Sequence, residues 1–583
     1  MKLEVKMSKV SLIIDSYNVS VDEGTTILEA CKSLGINIPT LCNHPELKPS
    51  GSCRLCSVEV EGEDSLVPSC VAKVEEGIVV RTNTERVKNA RKAILELIIA
   101  NHPNDCLTCQ KAMGDCELQN LCYEFDVNRR NQMFKGQVRN KGMDISSVTI
   151  VRDMDKCILC GRCVKMCRDV QGIGIYDFMG RGFEAIVTTI DDVPIAETKC
   201  VNCGQCIKAC PVGALYEKVD IYEAMEALRD PNKHVIVQMA PAVKNTLGEE
   251  FGLPAGTDVT GKVAAALRRL GADKIFNTDF SADVTIMEEG TEFINRLKSG
   301  QRLPLLTSCC PGWVKFVEHN YPELLPNVSS CKSPQQMFGA LSKSYYSKIS
   351  GIAPENIYCI SIMPCIAKKF EKNRPEMEVD GHRDVDLVLT TREFARLIKM
   401  YNIDFLSLKD EEFDQFLGKA TGASRIFASS GGVMEAALRT VTYMLTDGEM
   451  DTIDYKEVRG LQGTKEAELN IAGRTVKIAV VNGTKNTKEL LEKVLSGEKS
   501  YDFIEVMACP GGCINGGGAP IPDDRETLEK RKNGVYNSDA NSSVRRSFEN
   551  PEVVALYKDY LGKIGEDAAH HLLHTHYIDR SGK

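Results

Sequence analysis

Tryptophan is nearly absent from this chain of 583 residues, with Trp313 the only one. No run of about 18 apolar residues occurs, so the sequence predicts no membrane-spanning helix. The first ten residues alternate charged and apolar side chains and lack the apolar core of a secretory signal. Also missing are a GxGxxG that opens a helix and a phosphate loop ending in Lys-Ser/Thr, so no dinucleotide or flavin site is expected within the chain. An excess of positive charge is lacking too: the formal net charge is −9, which argues against general nucleic-acid binding. Cysteine, by contrast, is abundant, with 24 residues. Disulfides in a secreted chain compete with metal ligands in a reducing compartment. Grouping as CxxCxxC suits clusters rather than long-range bridges, and predicts a cytoplasmic, metal-rich protein. The length calls for several domains.

Near the start, residues 9–21 alternate as a hairpin would, and residues 26–34 carry a helical stripe of Ile27, Ala30, Cys31 and Leu34. Cys42, Cys53, Cys56 and Cys70 follow as C-x10-C-x2-C-x13-C. This is not the plant-ferredoxin spacing, and four thiolates suit zinc as well as a [2Fe–2S] cluster. After a helical stretch over 86–100 come His102, Cys106, Cys109 and Cys116, with Cys122 as an alternative third cysteine. Cys157, Cys160, Cys163 and Cys167 then repeat as Cys200, Cys203, Cys206 and Cys210. The repeat resembles the two-cluster bacterial ferredoxins. Their fold implies crossed ligation: Cys157, Cys160 and Cys163 with Cys210, and Cys200, Cys203 and Cys206 with Cys167. Arg168 stands where the first run usually has proline, which is not a ligand.

From about residue 219 strands alternate with helices. Strands are predicted over 234–239, 274–277, 303–306, 357–362, 385–389, 425–428, 477–481 and 503–506, and helices over 392–400, 433–441 and 488–495. Such alternation implies parallel sheets covered on both faces, with a site at the carboxyl ends of the strands. Three cysteine motifs fall at such ends: Thr307-Ser308-Cys309-Cys310-Pro311, Met363-Pro364-Cys365-Ile366-Ala367-Lys368, and Glu505-Val506-Met507-Ala508-Cys509-Pro510-Gly511-Gly512-Cys513. Soft thiolates converging from them suit an iron–sulfur cluster. Gly516-Gly517-Gly518 has no helix-opening phosphate motif and reads as close backbone packing. Glu289, Glu292 and Arg296 share one helix face.

Together these motifs closely resemble the three signatures of [FeFe]-hydrogenases, and the resemblance runs through nearly the whole chain. It implies a multidomain α+β and α/β architecture. A β-grasp [2Fe–2S] domain spans 1–85, and a [4Fe–4S] domain with one histidine and three cysteine ligands spans 86–145. A 2×[4Fe–4S] ferredoxin-like domain covers 146–218, and a two-lobed α/β catalytic domain with a helical tail covers 219–583. The first two modules also resemble the large electron-transfer subunit of respiratory NADH dehydrogenase. One departure is the six residues between Cys109 and Cys116, where the family has five; Glu117-Leu118-Gln119 after Cys116 fits the pattern.

By resemblance, Cys310, Cys365, Cys509 and Cys513 ligate a [4Fe–4S] cubane, with Cys513 bridging to a diiron subsite that carries carbon monoxide, cyanide and azadithiolate. Lys368 would hydrogen-bond one cyanide, and Met363, Met507, Ala240, Pro241 and Gly512 would wall the pocket. Cys309 matches the terminal proton donor, with Glu289, Ser329, Glu292 and Arg296 leading to it. The implied activity is reversible proton reduction, with electrons relayed by the accessory clusters. Implied partners are ferredoxin, flavin-containing NAD(P)-binding and [2Fe–2S] subunits (an electron-bifurcating assembly among them), and maturation proteins.

A non-catalytic electron-transfer subunit would account only for the first 218 residues. A hydrogen sensor would keep the motifs but usually alter the relay. Of the remaining cysteines, Cys31 and Cys359 read as small buried hydrophobes and Cys122 stays open. Cys331 lies beside Ser329, where oxidation would disturb the path. The cluster of His570, His571, His574 and His576 reads as a helix packed on the catalytic domain, with a metal site as the alternative.

Overall fold

Alternating apolar residues over Lys9–Ile14 and Tyr17–Asp22 form the antiparallel hairpin that their pattern predicts. The computed structural model describes residues 8–111, 115–128, 133–446, 448, 452–522 and 524–582. The alternating start over residues 1–7 lies outside them. Contacts along the chain divide it into two units: the first holds Met1–Val170, Gly174–Ile195 and Cys206–Tyr216, the second Gln171–Ile173, Ala196–Gln205 and Glu217–Lys583.

In the first unit the hairpin extends into a five-stranded sheet with Val79–Arg81, Ser57–Val60 and Val67–Pro68. Helix Ile27–Ser33 starts at a capping box between Thr26 and Glu29 and buries Ile27, Ala30 and Cys31. Cys31 therefore sits in the core with Leu12, Ile14 and Val80. Helix Glu85–Ala100 follows, capped by Thr84. Its buried Arg91 donates to Leu55 O (3.1 Å) and Ser57 O (3.0 Å), fastening the loop that carries Cys53 and Cys56. Strands Met143–Asp144 and Ile150–Asp153 pair antiparallel before the cysteine repeat. A second hairpin, Tyr176–Met179 with Ile186–Thr189, separates its two halves.

The second unit contains two four-stranded sheets. One has the order Lys274–Asn277, His234–Met239, Ile357–Met363, Leu387–Thr390 and is wholly parallel. In the other, Leu305–Leu306, Phe503–Met507 and Arg474–Asn482 are parallel, and Thr464–Ile471 closes the edge antiparallel. Two-residue periodicity buries both faces of this sheet. Ile478, Val480 and Phe503 enter one core, and Ala479, Val481, Ile504 and Val506 enter another.

Two sequence expectations need correction. Residues 425–428 are not a strand: Gly422–Arg425 is helical and Ile426–Ala428 adds a one-turn 3-10 helix. Thr421 and Ser424 form a capping box that starts a helix there, and Ile-Phe-Ala is too short for its apolar character to decide between states. The edge strand Thr464–Ile471 was not expected. Its burial alternates, with Thr464, Glu466, Glu468 and Asn470 exposed.

Among the described residues no helix is long and apolar enough to cross a membrane. The C-terminal helix Asp567–Leu573 packs with Ala569, Leu572 and Leu573 buried, as expected. Replacing Arg91 by Met should strip two buried carbonyls of their donor and cost about 2–4 kcal/mol, read as an earlier urea transition of the first unit. An unchanged transition would show that the loop is held elsewhere.

Candidate functional site

Each of the three C-terminal motifs begins where a parallel strand ends. Cys309 and Cys310 follow Leu305–Leu306, Cys365 follows Ile357–Met363, and Cys509 follows Phe503–Met507. Thr307 ties two of these ends, accepting from Val506 N at 3.0 Å through its side chain and from Trp313 Nε1 at 2.9 Å through its carbonyl. The single tryptophan thus anchors helix Pro311–Asn320, whose N-cap is Cys310.

Cys310, Cys365, Cys509 and Cys513 come together. The neighbouring thiolates, added to burial, push the Cys513 thiol well above its usual range, and burial with Cys509 and Cys310 does the same to Cys365. Ala508 N points at Cys310 Sγ at 3.4 Å. Four soft donors brought together in this way match the ligand set of an iron–sulfur cubane. The loop that carries Cys200 and Cys203 reaches the same place, with Cys203 O 4.0 Å from Cys509 Sγ.

The wall is made by close backbone approach. A Cβ on Gly512 (φ +95°) would come within 2.5 Å of Ser430 N. One on Gly516 would meet Pro364 O at 2.2 Å, and one on Gly517 would meet Cys203 O at 2.3 Å. The triple glycine is therefore packing, as expected. Met363, Met507 and Ala240 are buried, and Ala240 caps the short helix that begins at Pro241.

Lys368 is buried with its ammonium fully engaged. It donates to Ser333 Oγ (2.7 Å), Glu371 (2.9 and 3.1 Å) and Cys309 O (3.1 Å). Any further acceptor must displace one of these partners. Ser333 and Glu371 carry no sequence signal of their own; only the fold shows that they orient Lys368.

Beside Cys309 runs a file of polar groups on helix Thr278–Ser299. The Cys309 thiol is held well above its usual range by burial and then by Glu289. Burial, with Glu292 next, pushes the Glu289 carboxyl up to about 8. Glu289 Oε1 has no hydrogen-bond partner among the described residues. Ser329 Oγ donates to Glu292 Oε2 (2.8 Å) and accepts from Cys331 N (3.3 Å), and it lies close enough to Glu289 to favour that carboxyl's ionised form against the effect of burial. Arg296 donates to Glu292 Oε1 (2.6 Å) and to the carbonyls of Arg302, Asn327 and Val328. The five residues expected in a file are therefore neighbours. Cys331 is fully buried, its Sγ 4.0 Å from Glu292 Oε2.

In the first unit the other motifs also gather. Cys42 contacts Cys53 and Cys70, and Cys70 contacts Cys56. His102 Nδ1 lies 3.1 Å from Pro103 O; a carbonyl only accepts, so Nδ1 carries the proton and Nε2 the lone pair that a metal would use. Cys116, the N-cap of helix Glu117–Glu124, lies in the field of Cys109 and Cys106. Part of the lengthened spacing before it, residues 112–114, lies outside the described residues. Cys157, Cys160, Cys163 and Cys210 line one cavity, the set that crossed ligation requires.

Replacing Gly512 by Ala should collide with Ser430 and displace the Cys509–Cys513 loop. The expected outcome is loss of iron from this site, measured as iron per chain, with the clusters of the first unit retained. Full iron content in that variant would show the loop to be adaptable.

Comparisons with known proteins agree with this geometry. Family models match in chain order, beginning with a 2Fe-2S iron-sulfur cluster binding domain (residues 7–85), the NADH-ubiquinone oxidoreductase-G iron-sulfur binding region (91–131) and a 4Fe-4S dicluster domain (156–214). The C-terminal domain of the iron only hydrogenase large subunit (233–517) and the iron hydrogenase small subunit (525–580) follow. The chain is 50% identical to the NADP-reducing hydrogenase subunit HndD of Solidesulfovibrio fructosivorans, over 98% of this chain and 100% of that one. It is 43% identical to iron hydrogenase 1 of Clostridium pasteurianum, over 97% and 99%. Among solved structures, the apo [FeFe]-hydrogenase HydA1 of Chlamydomonas reinhardtii matches with a TM-score of 0.57 and 40% identity, over 62% of this chain and 99% of that chain.

Proposed function

The chain belongs to the [FeFe]-hydrogenase family, enzymes that interconvert protons and molecular hydrogen, and on that premise we propose how its residues divide the work. Several iron–sulfur domains and a catalytic iron–sulfur site are present. We assign Cys310, Cys365, Cys509 and Cys513 as the residues that would hold the cubane of an H-cluster. When bound, that cluster, with its diiron subsite of carbon monoxide, cyanide and azadithiolate, supplies the two-electron chemistry of 2H⁺ + 2e⁻ ⇌ H₂. Met363, Met507, Ala240 and Pro241 exclude water from it and offer polarisable surface. Lys368 sets a positive charge beside Cys309 and the ligand set.

Protons travel by way of Cys309, Glu289, Ser329 and Glu292, with Arg296 holding Glu292 in place. The carrying observation is Glu289: buried, electrostatically coupled to Cys309, with one oxygen unpartnered among the described residues and a carboxyl pushed up to about 8. A relay group must both hold and release its proton at working pH, and this carboxyl meets that demand.

Cys42, Cys53, Cys56 and Cys70 would hold one [2Fe–2S] cluster, and three [4Fe–4S] clusters would complete a set that supplies one-electron redox sites. The three would be held by His102 with Cys106, Cys109 and Cys116; by Cys157, Cys160 and Cys163 with Cys210; and by Cys200, Cys203 and Cys206 with Cys167. The corresponding modules span 1–85, 86–145 and 146–218, ahead of the catalytic domain at 219–583. We place the enzyme in a cytoplasmic assembly with ferredoxin and with flavin-containing NAD(P)-binding and [2Fe–2S] subunits, after loading by maturation proteins. Support comes from the relative described as a subunit of an NADP-reducing hydrogenase and from the lack of a dinucleotide motif in the chain.

Hydrogen evolution by anaerobically purified native protein, driven by reduced viologen or by NAD(P)H with and without reduced ferredoxin, tests the assignment. Viologen should suffice for the isolated chain, and NAD(P)H should serve only when a flavin-containing partner is purified with it. No evolution from any donor at full iron content would overturn it. Cys309→Ala should lower turnover by about 100-fold or more at unchanged iron content. Because the folded Glu289 carboxyl is raised, it carries its proton below about 8 and loses it above. Hydrogen evolution should therefore decline as pH rises through that value, and Glu289→Gln should remove both the activity and this inflection.

A further inference from the structure

Residues 573–577 run beside the segment that carries Ser329. Lys332 N donates to Leu573 O (2.8 Å) and Thr575 N to Ser330 O (2.7 Å), and Cys331 and His574 form an antiparallel bridge. The tail thus adds a short strand to the segment that holds the relay hydroxyl. Side chains lock the pairing. Tyr577 Oη donates to the Ser329 carbonyl at 2.5 Å. Ser330 Oγ lies 2.8 Å from His574 Nδ1, and His574 Nε2 lies 3.2 Å from Glu288 Oε2. An ionised carboxylate only accepts, so Nε2 carries hydrogen and Nδ1 takes the Ser330 hydroxyl proton as a hydrogen bond.

Glu288 is itself fixed by Tyr557 Oη (2.5 Å) and Gly565 N (2.9 Å). It stands one turn before Glu292 on the same helix face. The two carboxylates therefore grip the segment from neighbouring positions. Glu292 takes Ser329 Oγ and Ser330 N (3.2 Å), and Glu288 takes Ser330 through His574.

We propose that Tyr577 and His574 are positioning residues for proton transfer, clamping residues 329–331 so that Ser329 Oγ stays within reach of both Glu289 and Glu292. The proposal rests on the reading of Ser329 as part of the proton route. A hydroxyl that passes a proton must accept from one carboxyl and donate to the other, each at hydrogen-bond length. Ser329 has one side chain to satisfy both, so small drifts of its backbone break one contact or the other. Its amide is held by Leu306 O at 2.8 Å and its carbonyl by Tyr577. Only the second restraint comes from the tail.

Tyr577→Phe removes one hydroxyl and keeps the ring, in the full chain loaded with iron to the native level. Hydrogen evolution with reduced viologen is followed against pH in light and heavy water, and amide exchange over residues 328–332 and 575 is measured in parallel. The clamp predicts exchange about fivefold faster, the equivalent of one buried hydrogen bond. It also predicts a rate lower by about tenfold with a solvent isotope effect about twice the native one, as proton transfer becomes limiting. His574→Phe, which loses both hydrogen bonds, should move the same readouts in the same direction. Faster exchange with native isotope effect and pH profile would make the tail merely structural and overturn the proposal; unchanged exchange would overturn it as well. Ser329→Ala separates the two layers. Native turnover in that variant refutes the relay reading itself, whereas an inactive Ser329→Ala beside a native-like Tyr577→Phe refutes the clamp alone.

Discussion

Four thiols from three distant strand ends have to meet within the diameter of one cluster, and most of the second unit follows from that requirement. Two parallel sheets bring their carboxyl ends to one place, which βαβ connections achieve and hairpins do not. Trp313 and Thr307 fix the Cys310 end, and backbone approach at Gly512 and Gly516 lets the Cys509 and Cys365 motifs nest. The same convergence buries much of each sulfur's surroundings in protein. Electrons and protons then each need a built route. In the proposed scheme the electron side is the loop of Cys203, whose carbonyl lies 4.0 Å from Cys509 Sγ, and the proton side is Glu289.

Buried charge pairs surround this centre. Lys368 with Glu371, Lys369 with Glu393, Lys332 with Asp384 and Arg374 with Glu318 are all nearly inaccessible pairs. Such pairs contribute little net stability because desolvation offsets attraction, but losing one partner leaves a costly buried charge. Here they fix geometry. Glu371 gathers Ser333, Gln335 and Lys368, so the segment carrying Ser329 is joined through Ser333 to the helix that follows Cys365. The residues of the proposed proton route and of the proposed ligand set share one hydrogen-bonded frame.

Much of this was legible in the sequence because its signals are local. Cysteine spacing survives folding unchanged, the helix face of Glu289, Glu292 and Arg296 follows from a 3.6-residue period, and the strands at 234–239, 274–277 and 503–506 each centre on β-branched or aromatic residues. Residues 425–428 misled because three apolar residues fit helix and strand equally, and a cap decided the state. The edge strand at 464–471 has a polar outer face and little apolar signal. Tyr577, His574 and Ser333 carry no motif; their importance comes from partners 35 to 286 residues away in sequence, which no local pattern reports, and Glu371, three residues after Lys368, takes on its role by also binding Ser333. The histidine cluster hinted at a role near the C-terminus, but the structure uses His574 as a hydrogen-bonding wedge, stacked on His570 at 4.6 Å.

The proposed proton route turns on one group, the buried Glu289 carboxyl, whose pKa burial pushes up to about 8. Infrared absorption of the protonated carboxyl in native enzyme, titrated with pH and assigned by its disappearance in Glu289→Gln, measures this directly. The expected result is a band that titrates with a midpoint near 8. A carboxyl already ionised at pH 6, or one that never titrates, would refute the role given to Glu289.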